Sequence, residues 1–174
     1  VSQYPVIAAG DLITGSLLRS MLPDYIVKSA STARASTTTF TDDPELSIPV
    51  VAGEVCWIEF YLMFASLAAA DLKTQWSSPA GTTGNRRVLG PGSAAADANA
   101  DNIAVRLGVH VTAGSTTYSG VRDSAANFFQ VQEVGLITVG GTAGNVVLQW
   151  AQNTSNATAT TLAAGSFVRK TRLS

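Results

Sequence analysis

The feature that most restricts this chain is an apolar period of two that recurs along most of its length. Leu72, Thr74 and Trp76 alternate with Lys73, Gln75 and Ser77, and Ile103, Val105, Leu107, Val109 and Val111 alternate with residues that include Arg106 and His110. Successive side chains of a strand point to opposite faces, so such alternation describes half-buried β-strands and excludes amphipathic helices. Further strands are expected over residues 25–28, 33–41, 54–65, 128–139, 146–151, 157–162 and 166–173. Residues 54–65 carry Val55, Trp57, Ile58, Phe60, Tyr61, Leu62, Met63 and Phe64. Apolar residues on both parities point to a central strand covered on both faces. Asp42, Asp43 and Pro44 read as a turn, because Asp bonds back to its own chain and Pro presets φ. Residues 79–101, dense in Gly, Pro, Ala and Ser, read as a long surface loop or a loose hairpin. Many short strands separated by Gly and Pro give the fold class: all-β, a jelly-roll-like antiparallel β-sandwich.

One segment breaks the pattern. Leu12, Ile13, Leu17, Leu18, Met21 and Leu22 follow Asp11 at helical spacing and stop at Pro23. Asp11 is the expected cap and the helix about three turns long, too short to stand alone in water. These six residues are the candidate oligomer or attachment interface. The division expected is a short N-terminal arm and helix over 1–24, then the β-sandwich domain over 25–174.

Charged residues make up only 13% of the 174, about half the usual share, while 46% are apolar. A surface so short of ionic cover suits a protein whose faces are buried against copies of itself. The net charge of −1, with few clustered cations, gives no footing for nucleic acid. Arg86 with Arg87, and Arg169, Lys170 and Arg172, are expected in solvent or between subunits. No uninterrupted apolar run is long enough to span a membrane, and no signal-peptide pattern opens the sequence, so a cytosol-like compartment is expected until assembly. The single cysteine, Cys56, lies in an apolar run and reads as a small buried hydrophobe.

Chemistry is sparse. His110 is the only histidine, and acid–base, triad or zinc sites need it matched with a partner. Its parity, opposite the apolar side of its strand, points to a solvated or interface position. Asp42, Asp43 and Glu45 could take Ca²⁺, yet turn chemistry explains the same residues without an ion. The glycines between 140 and 144 precede a strand rather than a helix, so they read as a hairpin turn and not a phosphate loop. Trp57, Trp76 and Trp150 read as core or subunit-seam residues. The expectation is no enzyme, no cofactor and no metal.

A resemblance joins these observations. Ala9, Gly10, Asp11, Leu12, Ile13 and Thr14 with Leu17 and Leu18, the block 36–46 followed by Pro49, Val50, Ala52 and Gly53, Asp71 to Lys73 with Pro79 to Gly81, and the closing block 149–155 with Ala164 to Ser166 together resemble small tail and fibre proteins of actinobacterial phages. The resemblance covers most of the chain except residues 79–101. It implies a virion structural protein with a jelly-roll head of the trimeric fibre or C1q/tumour-necrosis-factor-like kind, acting as a head decoration, head fibre or minor tail protein. Its partners would be itself, as a homotrimer, and other virion proteins such as major capsid or tail proteins. It would reside in the virion after synthesis in the host bacterial cytoplasm. The alternative is a host- or glycan-binding module of a phage fibre, with exposed aromatics and a cleft in loops 79–101 or 113–126. A hydrolase would need two convergent carboxylates or a partner for His110.

Overall fold

The computed structural model describes residues 7–92 and 105–174. The expectation for Ile103, and the part of the segment 79–101 beyond residue 92, lie outside the described residues.

The described residues form one helix, α1 (Gly15–Ser20), followed by twelve strands: β1 (Asp24–Val27), β2 (Thr32–Arg34), β3 (Thr41–Val50), β4 (Val55–Ser66), β5 (Leu72–Ser77), β6 (Thr83–Pro91), β7 (Val105–Val111), β8 (Thr116–Tyr118), β9 (Ser124–Thr138), β10 (Gly144–Gln152), β11 (Thr160–Leu162) and β12 (Phe167–Arg172). A large sheet runs β1-β12-β4-β9-β6-β7, with β2 and β11 attached to it through β4. A small sheet runs β3-β10-β5-β8. Every pairing between these strands is antiparallel. Setting aside the hairpin β6–β7 and the short pair β2–β11, eight strands remain, ordered 1-8-3-6 in one sheet and 2-7-4-5 in the other. That is the jelly-roll connectivity. The hairpin is an insertion between the fourth and fifth of those strands, and it widens the large sheet at one edge.

The core lies between the sheets and follows from the alternation. From β4, Cys56, Ile58, Phe60, Leu62 and Phe64 point inward and are fully buried; Ile48, Trp76, Leu148 and Trp150 close in from the small sheet. Phe60 meets Trp76 with ring centroids 5.0 Å apart. Opposite them, β9 carries Gly135 where a Cβ would come within 2.7 Å of the Trp76 ring. Only glycine leaves room for that indole. Burial raises the Cys56 thiol to about 12, so it remains protonated and packs as a hydrophobe.

Four local expectations are corrected. Asp42, Asp43 and Pro44 form no turn but lie inside β3. There β3 pairs β10 with a register shift between Val147 and Gln149, and it is an edge strand. A bulge on an edge is where a strand tolerates proline. The Thr-rich stretch expected as strand 33–41 is extended only at its ends: Ser36 has φ 56°, and Thr37 Oγ1 accepts from Thr39 N at 3.3 Å. Hydroxyls that bond their own backbone divert it from the ladder. Of the segment 79–101, expected as a long surface loop or a loose hairpin, residues 83–91 form the regular strand β6, which pairs with both β7 and β9. Finally, Thr14 rather than Asp11 caps α1, accepting from Leu17 N at 3.2 Å, while Asp11 accepts from Ala8 N at 2.7 Å. The helix is six residues long, about half the expected length.

Candidate functional site

The groups that could do chemistry are mostly spent on holding the sandwich together. Glu133, on the inner side of β9, is fully buried and receives four donors. Tyr118 Oη donates to Oε1 at 2.8 Å, Trp76 Nε1 to Oε2 at 2.6 Å, and Thr74 Oγ1 and Arg86 Nη1 complete the set. Arg86, expected in solvent or between subunits, is instead fully buried. Its Nη2 donates to the carbonyl oxygens of Thr74 at 3.0 Å and Gly114 at 2.5 Å and to Thr116 Oγ1 at 3.1 Å. Burial, and then the Glu133 charge, push the Tyr118 phenol far above its ordinary value. This cluster pins the inserted β6 to β5, β8 and β9. A buried ion pair is weak evidence for net stability, but removing one member leaves an uncompensated charge.

The acidic residues expected in a turn are engaged in a second cluster. Lys28 Nζ lies 3.0 and 3.1 Å from the two oxygens of Asp43 and 3.5 Å from Glu45 Oε1. Asp43 also accepts from Trp150 Nε1 at 3.0 Å and from the backbone N of Glu45 and Leu46, both at 3.0 Å. Glu45 is held well below the usual carboxylate range, at about 2, first by the Ser29 hydroxyl and then by the Ser29 backbone N–H. Asp42 accepts from Gln149 Nε2 at 2.7 Å. Among the described residues, no group of three or more His, Cys, Asp and Glu side chains is arranged to hold a metal ion. Cys56 on β4 and His110 on β7 are separated by the two intervening strands, β9 and β6.

What remains unspent is a surface. The strand register places the outward residues of the large sheet in rows. One row runs Leu107, Leu89, Gln132, Tyr61, Phe167 and Val27 from β7 to β1. The next runs Val109, Arg87, Val134, Glu59, Arg169 and Tyr25, and a third Val111, Asn85, Leu136, Trp57 and Thr171. At the β1 end the face is already organised. Tyr61 stacks on Phe167 at 5.2 Å, Arg169 Nη2 pairs with Glu59 at 2.6 Å, and Tyr25 lies 6.2 Å from Phe167. At the β7 end it is bare. Leu107 is 75% exposed, Val109 67% and Val111 62%. Covering each of these would be worth about 1.5–3 kcal/mol.

This reverses the orientation expected for β7. The apolar parity faces outward, while Arg106, Gly108 and His110 lie half-buried on the inner parity. No residue of β7 joins the core cluster, and the strand packs chiefly on β6. Among the described residues β7 also ends the sheet, presenting an edge with neither proline nor lysine. Such an edge is a template for pairing unless something covers it. Between β4 and β7 the face dips into a groove of about 430 Å³ whose floor includes Trp57, Arg87, Val109, Val134 and Leu136. Trp57 therefore lies half-buried on the outer face, while Trp76 and Trp150 are core.

The helical candidates also lie at the surface: Leu12 is 81% exposed, and Ile13, Leu18, Met21 and Leu22 are exposed as well, while Leu17 is half-buried. They do not share the sheet's core. Sequence flagged Leu107 and Val109 as apolar strand residues but not as surface. The only available signal was that Gly108 and the charged Arg106 share the opposite parity, which makes that parity a poor core face.

Comparison with known proteins adds no argument to this description. No family model matches, and no curated protein matches. Among solved structures, the chain is similar to the VP2 subviral particle of infectious bursal disease virus, with 9% identity and a TM-score of 0.21 over 88% of this chain and 41% of that one. The Gx strain of the same virus gives 11% identity and a TM-score of 0.19 over 87% and 40%. The chain thus spans about two fifths of the structures it matches. Likeness at this level has no bearing on function, and the jelly-roll assignment stands on strand order alone. Among the described residues, no helix is long and apolar enough to cross a membrane.

Proposed function

We propose that this chain is a structural protein of a phage virion, assembling as a homotrimer on the particle surface as a head decoration, head fibre or minor tail protein. The observation that carries the reading is the outward apolar parity of β7, continued by Leu89, Val134, Leu136 and Trp57 across the large sheet. A monomeric protein rarely leaves a contiguous apolar patch of that kind uncovered. The polar inventory supports the same reading, since the buried charges are bonded to one another and to main chain rather than gathered in a cleft. The residues quoted in the sequence analysis supply the phage context. Contacts to major capsid or tail proteins, and synthesis in a bacterial cytoplasm, follow from that context.

One observation favours a second reading. Trp57, flanked by Arg87, Asn85 and Gln132, is the composition of a sugar platform with polar anchors. The surrounding Val and Leu side chains make a protein surface the better occupant. Antibody labelling of purified particles tests the first reading: surface labelling is expected, and absence of the chain from washed particles would overturn it. Glycan binding lost on Trp57→Ala, with assembly intact, would establish the second instead.

A further inference from the structure

Resting on the self-assembly reading above, we infer that the groove at the β7 end of one copy receives the N-terminal segment of the next copy, with Leu12, Leu18 and Leu22 seated against Leu107, Val109 and Trp57. The inference starts from two apolar features that the described residues of one chain leave uncovered. The first is the groove over β4, β9, β6 and β7. The second is the segment around α1, whose large side chains are exposed and which contributes nothing to the core cluster. A six-residue helix has no stability of its own in water, so its apolar stripe needs a surface to lie on.

Topology keeps the two apart within one chain. The segment feeds directly into β1, and β1 and β7 are the opposite ends of the large sheet. Five inter-strand steps separate them, roughly 24 Å at the usual spacing. A second copy placed edge to edge, its β1 end beside the first copy's β7 end, brings segment and groove together. The contact is then between unlike patches, and unlike patches close into rings when the rotation permits. Each feature contributes five exposed large apolar side chains, Leu12, Ile13, Leu18, Met21 and Leu22 on the segment and Leu89, Leu107, Val109, Val111 and Leu136 around the groove, which together supply the apolar centre that an interface needs, with the β1 and β7 edges as its rim. The bare edge of β7 is covered by the same placement.

Site-directed cross-linking of the full chain tests this. Leu18→Cys and Leu107→Cys are introduced singly and together, and the proteins are treated with a short bis-maleimide and run under denaturing conditions. Cys56 is buried and stays silent. The double variant should give a ladder ending at covalent trimer, while each single variant should stay uncross-linked. Full-length Leu12→Glu and Leu22→Glu proteins should lose trimer at least tenfold while keeping the wild-type circular dichroism spectrum. A protein that is trimeric by mass photometry, but whose double variant fails to cross-link and whose glutamate variants still assemble, would overturn this inference and leave the assembly reading intact. A wild-type monomer would overturn both. Cross-linking in the single variants would show like patches meeting, and would also reject it.

Discussion

The two faces of the large sheet are built from the same strands and end in opposite conditions. On the inner face, the charges are paired: Arg86 of the inserted hairpin and Glu133 of β9 are fully buried and bonded to each other, and Arg86 Nη2 donates to main-chain carbonyls, leaving Arg86 Nε without a partner among the described residues. On the outer face of the same hairpin, Leu107 and Val109 project with none of the described residues over them. The inner face is completed by one polypeptide; on the proposed reading the outer face is completed by another. The difference teaches that β6–β7 is anchored from within while, on the proposed reading, its exterior meets a partner. A surface that must meet a partner gains from being fixed beforehand.

The comparison is broken most severely from inside. Glu133→Ala removes the acceptor of four donors and strands the Arg86 charge, and it should cost about 3–5 kcal/mol in urea unfolding. A cost under 1 kcal/mol would mean that the cluster does not fix the hairpin. Matched truncations then sharpen the contrast. Ile58→Ala on the inner face should cost about 2–5 kcal/mol. Leu107→Ala on the outer face, measured where copies are dissociated, should change stability by no more than about 0.5 kcal/mol. Similar losses at both positions would place Leu107 in a core.

The smallest effect concerns acid. Glu45 titrates at about 2 in the folded chain, below the ordinary carboxylate value. Its contribution is therefore fully present above the unfolded value near 4.5 and is lost as pH falls from there through about 2. Glu45→Gln should flatten the stability profile in that window and leave it unchanged at pH 7 and above in slope. An unaltered acid limb in melts at graded pH would show that the Ser29 and Ala30 bonds do not hold this carboxylate.

Much of the fold was legible because its strongest signals are local. The mixed parity of β4, the alternation of β5 and the glycines between β9 and β10 each follow from period and turn chemistry. The losses have physical causes. β6 was hidden because Arg86, Arg87, Gly90 and Pro91 resemble loop composition, and a charge buried by pairing leaves no mark in a hydropathy pattern. β3 was misread because Asp-Asp-Pro serves a bulge as well as a turn. For β7, alternation reveals two faces without saying which is inward, and a one-residue slip exchanges them. That ambiguity also concealed the candidate site. The apolar residues were recognised, but the side they face is decided by β6 and β9, far away in sequence.

Mass photometry of the full-length wild-type protein beside Leu107→Glu bears most directly on the claim that the outer face is completed by copies of this chain. The wild type should give a single species at three times the chain mass, and the variant a species at one chain mass with unchanged secondary structure. A wild type that stays at one chain mass at micromolar concentration would contradict the account.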